Sequence, residues 1–251
     1  MDAGQTASGI PLRTGRRGAS TIAAATTRAP AETPGPLRIG DNDPVYVPHV
    51  NAMADADVGP FLAAHPAGHL VTVGPDGRPD VTLLPLVVNE GRVLAHFARA
   101  NDHWRRIAPG SAGLVVVTAA DAYISPSWYA SKAEHGRVVP TWNYSEVQLS
   151  GAVTVHDDPE WVRDMVTRLT HRHESHRAGR WAVTDAPDRY VTGQLRAIVG
   201  VELAIESVSA KAKLSQNRSD ADREGAIAGL SREPGHAAHD VADAMRAALG
   251  D

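Results

Sequence analysis

Between residues 68 and 157 one short β-prone run follows another, most of them separated by little more than a turn. GHLVTVGPDGRPDVTLLPLVV (68–88) reads as strand, turn, strand, with Pro75-Asp76-Gly77 at the turn. GRVLAHFARA (91–100), SAGLVVVTAADAYIS (111–125) and VQLSGAVTVHD (147–157) supply a third, fourth and fifth strand. After residue 199 the apolar positions alternate again at 201, 203 and 205. Parallel neighbours need crossovers of about a dozen residues or more, usually helical. These gaps instead suit an antiparallel barrel.

Helical spacing appears around this core. ADADVGPFLAAHP (54–66) places Val58, Phe61 and Leu62 on one side. The strongest helix signal is 158–175, with Asp158 as cap, Pro159 in the first turn and Trp161, Met165, Val166 and Leu169 as the apolar stripe. Residues 188–199 are predicted as another helix, and the segment from 220 onward as two more. The first 43 residues are rich in Ala, Thr, Gly and Pro and show no apolar period, which predicts disorder. Arg16-Arg17 before GASTIAAATT has the outline of a twin-arginine export signal, but the following stretch is too polar for one. Either this is a flexible tail, or translation starts near Val45. The predicted organisation is a tail (1–43), a barrel domain (44–219) and a C-terminal helical segment (220–251).

Composition removes several function classes. A net charge of -4 weighs against direct DNA binding, which draws much of its affinity from cationic contacts to phosphate. With no cysteine, disulfides, thiolate-bound zinc, iron–sulfur clusters and thiolate-bound haem are excluded. The same absence fits a cytoplasmic protein. No apolar run reaches the roughly 18–20 residues that cross a bilayer.

Three segments hold side chains suited to a ligand. AHFARANDHW (95–104) offers His96, Arg99, Asn101 and Trp104 at a strand exit. Arg99 could fork onto a phosphate or carboxylate, or simply pair with a surface acid. ISPSWYASKAEHGRVVPTWNY (124–144) looks like a charged loop running into aromatics, with Pro126 and Pro140 fixing the backbone. It offers Ser125, Thr141 and Asn143 as polar contacts, Trp128 and Trp142 as flat faces, and Lys132 as a cation. Stacking surfaces with a few placed polar groups suit a planar cofactor, although a core could also absorb the rings. KAKLSQNRS (211–219) brings Lys213, Gln216 and Arg218 to the start of a helix, where anions are favoured. HRHESH (171–176) is metal-like only in appearance: it lacks HExxH spacing and sits at a helix C-terminus, where cations are favoured anyway.

The runs ARAN with Trp104 (98–104), YISPSWYASKAEHGRVVPTWNY (123–144), LTHRHE (169–174), LRAIVGVE (195–202) and KLSQNR (213–218) resemble the PaiB family, often described as FMN-binding negative transcriptional regulators. The resemblance spans about residues 45–230. It implies an α+β, mainly β split barrel, usually a homodimer with cofactor sites near the subunit interface. By that analogy Arg99 and Lys132 are candidates for the FMN phosphate. Ser125, Thr141, Trp142 and Asn143 are candidates for the ring and ribityl chain, with Lys213, Gln216 and Arg218 completing the site from the other subunit. All three segments would then converge on one flat group.

A related branch, the piperazate synthases, holds haem b and joins two nitrogens of an N-hydroxylated ornithine. His96 maps to its iron ligand, the one metal role expected here. Three positions depart from the family pattern: Ala95 replaces a usual glycine, residues 80–84 lack a frequent histidine, and Ala212 replaces a frequent aromatic, which should open the pocket. The complete SKAEHG insert matches ordinary PaiB members better. FMN-dependent redox or regulatory function through a partner is the first expectation. Haem-dependent chemistry is the second, and a repressor without catalysis the third.

Overall fold

The computed structural model describes residues 46–249. The expectations for residues 1–43 lie outside that range. Helix α1 (Asp55–Ala64) precedes strands β1 (Ala67–Val73), β2 (Pro79–Pro85), β3 (Val87–Asn89), β4 (Arg92–Ala98) and β5 (Ala112–Ile124). Then come α2 (Ser131–His135), β6 (Thr141–His156), α3 (Pro159–Glu174), α4 (Asp188–Leu195), β7 (Ile198–Lys213), α5 (Asp220–Leu230) and α6 (His236–Ala247). The strands form one antiparallel sheet in the order β2-β1-β5-β6-β7-β4-β3. β2 also approaches β4, so the sheet curls into a barrel.

Alternation explains the inside of that barrel. Val93, Ala95 and Phe97 of β4 point inward, as do Val115 and Val117 of β5, Val147, Leu149 and Val153 of β6, and Val201 and Leu203 of β7. α1 adds Val58 and Leu62 to the same core. Ala95 therefore packs inward, where the family's usual glycine would contribute no side chain. On the outer face α3 and α4 build a smaller cluster from Val162, Val191 and Leu195.

Three strands outrun the barrel. β6 and β7 are 16 residues each and β5 is 13. A bulge between Thr118 and Asp121 shifts the parity of β5, so that Ala122 and Ile124 face a second core. α5 and α6 pack there through Leu230, Val241 and Met245. A further irregularity lies beside Gly151, where an added Cβ would come within 1.7 Å of the Ala204 carbonyl oxygen. Only glycine fits that approach.

Some boundaries differ from the sequence expectations. Residues 131–144 are not one loop: α2 ends on Gly136 in the left-handed region (φ +66°), and Thr141 already starts β6. The predicted helix over 188–199 stops at Leu195, because Ile198 and Val199 pair with β4. The apolar run ending at residue 88 divides at Leu86 into β2 and a short β3.

Candidate functional site

The free ends of β5, β6 and β7 form a tip with two faces. On its outer face Tyr123 pairs across from Trp142, Asp121 from Tyr144, and Tyr144 from Lys213. Tyr123 and Trp142 are 48% and 49% exposed, and their rings meet edge to face at 6.3 Å. Large aromatics left this open on a sheet are candidates for contact with another molecule. Trp142 is held in place because its indole N–H donates to Asp121 Oδ1 at 2.6 Å.

The β7 side of the tip is cationic. Lys213 Nζ donates to Thr141 Oγ1 at 2.8 Å, and Lys211 Nζ donates to the Tyr144 hydroxyl at 3.3 Å while lying over its ring. Neither lysine forms an ion pair among the described residues. Their charge is held by neutral hydroxyls, which leaves it available to an anion.

The inner face of the tip is structural. Asn143 is fully buried and shares hydrogen bonds of 3.0 and 3.2 Å with Ser215 Oγ. Ser215 has φ +66°, and Gln216 braces that turn by accepting from Leu214 N–H and donating to the Ala212 carbonyl. Ala212 itself is half-buried and packs against both cores. Arg218 lies 4.8 Å over Tyr129. Ser125 caps the 3-10 turn Pro126–Trp128, and Lys132 Nζ donates to Ser127 Oγ at 3.0 Å. Trp128 seats on α5, where a Cβ at Gly229 would come within 2.2 Å of the indole.

The remaining three candidates lie at the opposite end of β6, about 50 Å of strand away at ~3.3 Å per residue. Arg99 forks onto Asp157, with one contact at 2.9 Å, and also donates to the carbonyls of Arg196 (2.7 Å) and Ile198 (3.1 Å). That guanidinium holds the Asp157 carboxyl below its usual range. Asn101 donates to Thr82 Oγ1 and accepts from His103 N–H, while His103 sits buried between the hydroxyls of Thr72 and Thr82. His96 faces outward from β4 opposite Gly200. The Trp161 indole fills the space above Gly200 and stacks on His156 at 4.1 Å. His96 Nδ1 is shut off from solvent with no hydrogen-bond partner among the described residues, and burial holds its pKa below the ordinary histidine value.

Within one chain, then, two of the three segments converge: Ser125, Trp128, Lys132, Thr141, Trp142, Asn143, Lys213, Gln216 and Arg218 share the tip, while His96, Arg99 and Asn101 do not join them. Sequence reasoning passed over Tyr123, Asp121 and Lys211. The signal for Lys211 was present, since residues 211 and 213 share one face of a strand.

A curled antiparallel barrel whose longest strands run on into an aromatic, lysine-edged tip is a split barrel of the flavin-binding kind. The chain belongs to the PaiB-type FMN-binding family: the family described as "Putative FMN-binding domain" matches residues 45–207. It is 30% identical to the protease synthase and sporulation protein PAI 2 of Bacillus subtilis over 206 residues, covering 80% of this chain and 96% of the relative. Two solved structures share the fold at lower identity. One is an FAD and haem binding protein from Mycobacterium smegmatis (TM-score 0.51, 21% identity, 72% of this chain and 80% of the other). The other is the flavocytochrome Anf3 from Azotobacter vinelandii (TM-score 0.53, 19% identity, 70% and 76%).

The residues at the tip fit FMN. Trp142 and Tyr123 offer aromatic surface, Ser125 and Thr141 offer hydroxyls, and two lysines without carboxylate partners among the described residues suit a phosphate. The fit for haem rests on the unpartnered Nδ1 of His96, and the Trp161 indole occupies the space over the neighbouring Gly200. Among the described residues no group of three His, Cys, Asp or Glu side chains is placed to hold a metal ion, and no helix is long and apolar enough to cross a membrane.

Proposed function

We propose that this chain binds FMN at the tip of β5, β6 and β7 and serves as a flavin-dependent redox protein. The observation that carries the reading is the pair Lys211 and Lys213, anchored on hydroxyls beside the exposed ring of Trp142. The lysines would hold the phosphate. Trp142, fixed by Asp121, would offer its face to the ring system, and Ser125 and Thr141 would contact the ribityl chain. Bound FMN supplies reversible electron transfer, and the protein's part is to bind, orient and shield it. Arg99 has no free fork for this phosphate in its own chain, because Asp157 occupies it.

We further propose a homodimer. Val81 and Leu83 of β2 stand 58% and 59% exposed beside Val71 of β1, giving an apolar outer sheet face suited to a second copy. The negative net charge favours redox chemistry, or regulation through a partner protein, over direct repression at DNA. The cysteine-free composition fits the cytoplasm.

A second reading, haem held by His96, is favoured by its unpartnered Nδ1. The visible spectrum of the protein mixed with FMN and, separately, with haem distinguishes the two. The first reading predicts a perturbed flavin spectrum that is lost in Lys211→Ala/Lys213→Ala. A sharp Soret band abolished by His96→Ala, with no change in the flavin spectrum, would support the second instead.

A further inference from the structure

On the side of the tip away from the lysines, the outer face opens into a cleft of about 560 Å³ between the end of β5 and the α5–α6 junction. That volume falls in the range of small-molecule sites. Tyr123, Trp128 and Trp142 supply its aromatic surface, Leu230 part of its apolar floor, and Asp121 and Glu233 its charges. Among the described residues no lysine, arginine or histidine lines it. Neither Asp121 nor Glu233 pairs with a basic side chain among the described residues.

We infer that this cleft binds an organic cation: a primary or substituted amine carrying an apolar body. An ammonium group is attracted to the face of an indole or phenol ring and to carboxylates, and the apolar body would cover the floor. Trp142 is pre-positioned for this contact, because its N–H is bound to Asp121 and its ring therefore cannot swing freely. The same bond places one of the two carboxylates directly beside the aromatic surface. An anionic ligand would meet two acids here with no compensating cation, so the cleft discriminates by charge. The cleft shares Asp121, Tyr123, Ser125 and Trp142 with the proposed flavin site but not its two lysines, and the charge argument does not rest on flavin binding.

The test is calorimetric titration of the full-length protein with three probes of one shape: 3-phenylpropylamine, 3-phenylpropan-1-ol and 3-phenylpropionate. The amine should bind at least about fivefold more tightly than the alcohol, and the carboxylate more weakly than either. Asp121→Asn/Glu233→Gln should remove the preference for the amine while leaving alcohol binding unchanged. Both positions are exposed, so the variant should melt like the parent protein. Equal affinity for amine and alcohol, undiminished amine binding in the double variant, or no binding of the amine at millimolar concentration would each overturn the inference. Amine titration of Lys211→Ala/Lys213→Ala, whose lysines do not line the cleft, separates the two readings: the amine preference should persist even where flavin binding is lost.

Discussion

Arg99 and Lys213 carry the same charge and differ in what already holds it. One is forked onto a carboxylate, the other rests on a neutral hydroxyl, and no sequence pattern announces which. Asn143 shows the same limit. Its place among TWNY suggested a ligand contact, but β6 begins at Thr141, and alternation then turns residue 143 inward and 142 outward. Its amide completes a buried pair with Ser215. Asn143→Ala should lower stability by about 1–3 kcal/mol in urea denaturation, the usual cost of stranding a buried polar partner. The histidines give a pH dependence. Burial is the main cause holding His96, His103 and His156 below the ordinary value near 6.5. Each therefore favours folding fully above about pH 6.5, where folded and unfolded forms are both neutral. That contribution is lost as pH falls from there through the depressed folded values. Thermal melts should show a constant midpoint from pH 8 to 7 and a falling one toward pH 5. A midpoint that rose on acidification would reverse this assignment.

Elements were legible where independent local signals agreed. α3 has a capping Asp158 that accepts from the N–H groups of Glu160 and Trp161, a proline at its first position and a buried Val162–Met165 stripe. The cap and the proline read directly from sequence, but of the expected stripe Trp161, Met165, Val166 and Leu169 only Met165 is fully buried, and Val162 joins it in place of the others. Asp158→Ala should cost about 1 kcal/mol, measured by chemical denaturation, as loss of an N-cap generally does. β6 was harder to delimit, since Pro140 and the charged residues before it mimic a loop up to the first alternating apolar positions. The extra reach of β5, β6 and β7 was invisible for a related reason. Small and polar residues such as Ala122 and Asn143 are buried by helices from the C-terminal segment, and only the three-dimensional packing supplies that partner.

At the scale of the whole molecule, the barrel followed from strand spacing alone, while the division of candidate residues between two ends of one long strand did not. Spacing fixes which segments are strands, but the length and register of β6 and β7 decide what meets at each end. The proposed dimer would form through the apolar face on β1 and β2. If the proposed dimer forms there, Leu83→Glu should convert it to monomer in sedimentation velocity without lowering the melting midpoint of the monomer fold, because Leu83 faces solvent within the chain. The most direct test of the site is the FMN dissociation constant of the parent protein, Lys213→Ala and Arg99→Ala, read from flavin fluorescence. Losing a charge-assisted phosphate contact worth about 1.5–3 kcal/mol should weaken the Lys213 variant roughly ten- to a hundredfold, with Arg99→Ala changing affinity far less. Unchanged affinity in Lys213→Ala, or a greater loss in Arg99→Ala, would contradict a flavin site at the tip of β5, β6 and β7.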